Sequence, residues 1–189
     1  YDRGTKKLLL VAESRPWIKP EQLAPMCSIE FQSRDGLKLF GFYTAKDDDK
    51  RPLVVIPHGG PHGVHDAWGY DSDAQFFASR GYGVLQVNFR GSSGRGKDFE
   101  QAGYLEWGGK MQDDIADGVK WLVANNLADA GRICTFGASF GGYAALMQPI
   151  RNPGMYRCAA GYVGVYDLEI MKKEGDITTT RSGRRYLDR

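Results

Sequence analysis

After Ser139 this sequence contains no histidine; its three, His58, His62 and His65, all stand earlier in the chain. Cysteine is as scarce: Cys27, Cys134 and Cys158 are odd in number and widely spaced, which indicates neither a disulfide framework nor a metal knuckle. Cys134 and Cys158 sit in apolar runs and read as small core residues. No apolar run approaches the length of a membrane-spanning helix, and no signal-peptide pattern opens the chain. The first residues, Tyr1 to Val11, look like the middle of a β-structure, so the missing signal says nothing about compartment. A formal net charge of +2 argues for neither a nucleic acid nor an acidic partner. Arg181, Arg184, Arg185 and Arg189 gather near the end, but Glu174, Asp176 and Asp188 dilute them into a solvated segment. Internal repeats and low-complexity tracts are absent too.

What is present is enough for a core: 42% of the 189 residues are hydrophobic. Residues 1 to about 26 read as a strand and a connector punctuated by Pro16, Pro20 and Pro25. Arg34-Asp35-Gly36 then turns one alternating run into another, Leu37 to Tyr43, predicting a hairpin. Leu53-Val54-Val55-Ile56 is a continuous apolar run of the kind found in strands buried on both faces. Beyond it, helical and strand patterns alternate. Asp73 to Arg80 is read as a helix with Phe76 and Phe77 inward and Gly81 as its stop. Val84 to Phe89 is a strand, Asp113 to Asn125 an amphipathic helix, and Arg132 to Phe136 and Cys158 to Val163 two more strands. Such alternation predicts an α/β fold, a mostly parallel sheet with helices on both faces.

One short run carries the chemistry. Gly137-Ala138-Ser139-Phe140-Gly141 is a G-x-S-x-G pattern with a strand before it and a helix-like stretch after it. That is the setting of a nucleophile elbow, in which a sharp turn exposes a serine hydroxyl at the top of a sheet. A second glycine-rich turn, His58-Gly59-Gly60-Pro61, follows the buried strand. In that place such a turn supplies a backbone N–H to an oxyanion hole, paired with the N–H of the residue after the serine. The donors are therefore Phe140 N–H and Gly60 N–H. A rival reading takes His58, His62 and His65 as zinc ligands, but two glycines and a proline hold three imidazoles poorly. Gly91-Ser92-Ser93-Gly94-Arg95-Gly96-Lys97 imitates a phosphate-binding loop, yet Asp98 stands where Ser or Thr would ligate magnesium. A plain glycine-rich turn is preferred. Asp113, Asp114 and Asp117 are assigned to a helix start, where carboxylates suit the macrodipole, and Trp107 and Trp121 to packing.

His58-Gly59-Gly60-Pro61, Asn88-Phe89-Arg90-Gly91-Ser92-Ser93-Gly94-Arg95-Gly96, Trp107-Gly108, Asp113-Asp114 and Gly137 to Tyr143 occur in this order. In this the chain resembles the peptidase domain of the prolyl oligopeptidase family of serine peptidases, nearest its acylaminoacyl-peptidase and dipeptidyl-peptidase branch, over roughly residues 27 to 170. The resemblance implies an α/β-hydrolase fold, cleavage of short peptides, Ser139 as nucleophile and Phe140 N–H as main oxyanion donor. It also implies an apolar substrate pocket near Val165, Leu168 and Met171. Some relatives carry a tyrosine where His58 stands, which leaves Gly60 N–H as the favoured second donor. Residues 1–26 then look like the end of a propeller domain with its linker, and 27–189 like the N-terminal part of the hydrolase domain. The family's Asp and His lie beyond residue 189. Asp167, without a later histidine, cannot complete a triad.

The expectation is thus a serine peptidase whose acyl-enzyme forms on Ser139, here lacking its general base and nearly inert alone. A carboxylesterase, or a non-catalytic module with the hydrolase fold, are the alternatives. Short peptides are the expected substrates; no cofactor, metal, nucleic acid or membrane is called for. The strand near Cys158 to Val163 is expected to be an uncovered edge that invites a homo-oligomer.

Overall fold

Arg34-Asp35-Gly36 closes a hairpin between β1 (Met26–Gln32) and β2 (Lys38–Thr44), paired antiparallel from Met26↔Thr44 to Gln32↔Lys38. Gly36 takes φ 85° at the turn, a conformation glycine adopts without a Cβ clash. The computed structural model describes residues 1–188; Arg189, one of the basic residues noted near the end, lies outside them.

Four further strands build the sheet: β3 (Arg51–Val55), β4 (Gly83–Asn88), β5 (Ala128–Ala138) and β6 (Cys158–Tyr162). Their order is β1-β2-β4-β3-β5-β6, antiparallel as far as β4 and parallel from there on. Leu53, Val54 and Val55 of β3 are 1%, 3% and 0% exposed, as a strand covered on both faces must be. Helix α1 (Ser72–Ala78) covers one face with Ala74 and Ala78 against Val84. On the other face lie α3 (Lys110–Ala124) and α4 (Phe140–Arg151), the former turning Met111, Ile115, Val119 and Leu122 into the main core. A short α2 (Lys97–Gln101) precedes α3, and α5 (Leu168–Glu174) and α6 (Arg181–Leu187) follow β6.

The chain moves from β3 outward to β4, then back across β3 to β5. The turns leaving β3 and β5 therefore diverge to opposite faces, and the crevice between them is where ligands of open α/β sheets bind. His58–Pro61 leaves β3 and Ser139 leaves β5. Topology alone puts the two glycine-rich turns side by side.

Several expectations are corrected. The opening run forms no strand, only an isolated Asp2–Lys7 bridge, and Leu8, Leu10 and Val11 are 86%, 77% and 95% exposed, with no strand among the described residues pairing with them. Phe76 does not point inward; it is half exposed beneath the Arg80 guanidinium, 3.7 Å from the ring centre, while Ala74, Gln75 and Ala78 face the sheet. Cys134 and Cys158 are not separate core residues. They are register partners on the parallel neighbours β5 and β6, with Cα atoms 4.7 Å apart, and are joined in a disulfide. Cys158 is exposed, as is most of β6. Asp114 and Asp117 do not serve the helix start, because α3 begins earlier, at Lys110. Asp114, wholly buried, pairs with Arg90 at 2.8 Å, and Asp117 holds Arg34 at 2.8 Å.

Candidate active site

Ser139 sits between β5 and α4 at φ 56°, ψ −127°. A left-handed non-glycine residue costs on the order of 1–3 kcal/mol and persists only where its surroundings hold it. They do so here: Ser139 N–H donates to the Tyr162 carbonyl at 3.1 Å, and its own carbonyl accepts from Gly142 and Tyr143 N–H at 3.0 and 3.1 Å. The flanking glycines have no positive φ; they supply clearance instead. A Cβ on Gly137 would run into the Gly141 carbonyl, and one on Gly141 into the Pro57 carbonyl. The motif thus spaces β5, α4 and the end of β3 closer than any side chain permits, and the serine, which is exposed, is pushed out of the sheet.

The turn after β3 meets this serine. A Cβ on Gly59 would lie 3.6 Å from Ser139 Cβ, and Gly60, at φ 109°, lines an open cleft of about 620 Å³ together with Ser139. Phe140, buried beneath the serine, packs on Trp107 and Phe89 with ring centres 5.3 and 5.7 Å away. Its N–H opens α4, where helix amides have no intrahelical acceptor.

None of the three imidazoles serves this hydroxyl. His58 is buried, stacked on Phe89 at 4.3 Å, with Nδ1 2.7 Å from the Gly59 carbonyl and Nε2 2.8 Å from Ser92 Oγ. Burial pushes its pKa down to about 4. His62 Nε2 accepts from Trp107 Nε1 at 3.2 Å, and Nδ1 faces the Gly91 carbonyl at 3.4 Å. His65 Nδ1 is paired with Ser93 Oγ at 2.8 Å. Among the described residues no cluster of three or more His, Cys, Asp or Glu could hold a metal, and no helix is long and apolar enough to cross a membrane.

Of the residues named from the sequence, Ser139, Gly60, Val165 and Met171 line one cleft. Leu168 does not; it lines a neighbouring pocket with Leu105 and Trp107, Met171 standing on the wall between the two. Asp167 is the N-cap of α5, its carboxylate accepting from Glu169 and Ile170 N–H at 2.9 Å. Sequence reasoning missed Tyr186 and Ile177, which close the cleft from the C-terminal segment read as solvated. Their only signal was apolar residues spaced among charges.

A mostly parallel sheet with an exposed, left-handed serine on the strand–turn–helix at its switch point defines an α/β-hydrolase. The profile of the prolyl oligopeptidase family matches residues 68–188, more than half of the sequence, and the chain belongs to that family. It is 39% identical over 181 residues to dipeptidyl aminopeptidase BIII of Pseudoxanthomonas mexicana, covering 90% of this chain and 26% of that protein. A crystal structure of puromycin hydrolase superposes with a TM-score of 0.79 at 29% identity, over 90% of this chain and 26% of the other. The acylaminoacyl peptidase of Pyrococcus horikoshii gives 0.70 at 26% identity, over 87% and 29%. The chain therefore spans roughly a quarter of the length of these relatives.

Proposed function

We propose that Ser139 is the nucleophile of a serine peptidase acting on short peptides. The observation that supports this reading is the strained, exposed serine at the switch-point crevice, beside the turn whose Gly60 lines the same cleft. Ser139 Oγ attacks the substrate carbonyl as a general base takes its proton. The tetrahedral oxyanion lies between Phe140 N–H and Gly60 N–H; the leaving amine then departs with a proton, and water hydrolyses the acyl-enzyme. Val165 and Met171 flank the substrate side chain. The base comes from outside these 189 residues, since each histidine here is engaged elsewhere. By itself the chain keeps at most the ~10³–10⁴-fold acceleration over water that binding and an oxyanion hole leave in triad knockouts. Residues 1–26, with their unpaired apolar run, are the end of a preceding propeller domain, and 27–189 are part of the hydrolase domain.

The test is a serine-directed fluorophosphonate, with aminoacyl anilides and short acyl esters as rival substrates, on the full-length protein. Labelling and anilide turnover should both vanish in Ser139→Ala. Anilide turnover that survives the substitution sinks the assignment, and turnover of esters alone makes the protein a carboxylesterase.

A further inference from the structure

Two features remain outside the proposed chemistry: three histidines close together before the nucleophile, and the Gly-Ser-Ser turn after β4. The structure brings them together. His62 faces the Gly91 carbonyl at 3.4 Å, His58 reaches Ser92 Oγ at 2.8 Å and His65 reaches Ser93 Oγ at 2.8 Å. Ser93 N–H also donates to the Val64 carbonyl at 2.9 Å. The turns leaving the paired strands β3 and β4 are thus fastened residue by residue. The second turn is itself anchored, because Arg90 donates its N–H and its guanidinium to the buried Asp114 carboxylate, at 2.9 and 2.8 Å.

We infer that Ser92 is a positioning residue for the Gly60 N–H, acting through His58; the inference rests on the reading of Ser139 and Gly60 given above. His58 is buried and neutral, so its ring carries one proton. The 2.7 Å approach of Nδ1 to the Gly59 carbonyl places that proton on Nδ1, which leaves Nε2 as an acceptor. Ser92 Oγ–H then faces two acceptors, Nε2 at 2.8 Å and the Phe89 carbonyl at 2.7 Å, and shares its proton between them. Ser92 is fully buried, and the Phe89 carbonyl beside its hydroxyl is also served by Ser92 N–H at 3.0 Å. The Gly59 carbonyl and the Gly60 N–H belong to one trans peptide and so point in opposite directions. Holding that carbonyl against His58 aims the Gly60 N–H the other way, into the cleft it shares with Ser139. Gly60, with its unusual φ of 109°, has no Cβ to restrict the peptide, so direction must come from a partner.

Ser92→Ala in the full-length protein tests this. Removing a single oxyanion donor outright costs about 10²–10³ in kcat, so a donor that is present but poorly aimed should cost about tenfold. The expected result is that fall in kcat for an aminoacyl anilide, normalised to fluorophosphonate-titrated sites, with KM within about twofold of the parent. Affinity for a peptide boronate, which mimics the tetrahedral state, should fall by the same factor, and affinity for a product peptide should not change. A residue that merely supported the fold would instead raise KM, reduce the titratable fraction or weaken both ligands equally, and any of these overturns the inference. So does an unchanged kcat. Ser139→Ala run in parallel separates the two readings: if it abolishes turnover while Ser92→Ala matches the parent, only the role of Ser92 is lost.

Discussion

Strand β5, which delivers Ser139, has two unlike neighbours. On one side β3 is paired along both edges, and its central residues are at most 3% exposed. On the other side β6 is paired only to β5 among the described residues, and four of its five residues are exposed. Each neighbour supplies one wall of the same cleft: Gly60 from the turn after β3, Val165 and Tyr166 from the turn after β6. The wall proposed to face the developing oxyanion therefore stands on a buried strand, its turn fastened to the one after β4. The wall proposed to face the substrate side chain rests on an open edge, held by α4 and by the Cys134–Cys158 disulfide. Donor geometry tolerates little movement, while an apolar pocket tolerates more, so the proposed roles suit the two walls.

The largest effect that could break this contrast comes from adding one methyl group on each side. At Gly141 it would meet the Pro57 carbonyl, with the Pro57 carbonyl carbon 3.1 Å and the His58 carbonyl 3.2 Å away, all backbone of the turn after β3. At Gly164 its near neighbours all belong to the Tyr166 ring, which is 49% exposed and free to swing into solvent. Gly141→Ala should cost roughly 4 kcal/mol or more and leave little soluble protein, whereas Gly164→Ala should cost below about 1 kcal/mol. Thermal unfolding of the two variants measures the difference. Equal losses would mean that the two walls are equally rigid.

A smaller effect is expected at the edge itself. The disulfide closes a loop of sequence separation 24, for which loop-closure entropy gives about 3.5 kcal/mol. Replacing both cysteines by alanine should therefore lower the unfolding midpoint. Amide exchange should speed up in β6 and at Ser139, whose N–H depends on the Tyr162 carbonyl, and not in β3 or β4. Faster exchange spread evenly over the sheet would show β6 to be no weaker than its neighbours.

This division also separates what the sequence disclosed from what it concealed. The elbow, the hairpin and β3 were legible because their signals are local: glycines where backbones touch, a Gly turn, an unbroken apolar run. The switch-point crevice was not legible, because it needs the strand order that brings β5 back across β3. Pairings set by register were not legible. Cys134 and Cys158 become neighbours only once β5 and β6 are aligned, and Asp114 finds Arg90 only once α3 is known to begin at Lys110. The three histidines were equally opaque, since their partners lie on another turn about thirty residues on. The apolar run Leu8 to Val11 had a strand's composition but no partner in these residues, and composition alone does not make a ladder.

The smallest effect sharpens the comparison from the rigid side, which carries a cost of its own. Asp66, on the loop after β3, receives Gln86 Nε2 on Oδ1 at 3.3 Å, while its buried Oδ2 has no partner. Burial, with the Asp71 carboxylate adding to it, pushes its pKa up to about 7. His65 and Arg95 line the same small cavity. Below about pH 4 the carboxyl is protonated in folded and unfolded chains alike and contributes nothing. Between about 4 and 7 the unfolded chain gives up this proton and the folded one keeps it, so stability falls as pH rises; above about 7 the penalty is constant. Its full value, after allowance for solvent relaxation, is on the order of 2 kcal/mol. Asp66→Asn keeps the acceptor for Gln86 and removes the charge. The variant should melt above the parent at pH 8, with the difference shrinking as pH is lowered and closing near pH 4. A gain of the same size at every pH would instead assign the effect to packing, and a loss at pH 8 would mean that the carboxylate is held by a partner at that pH.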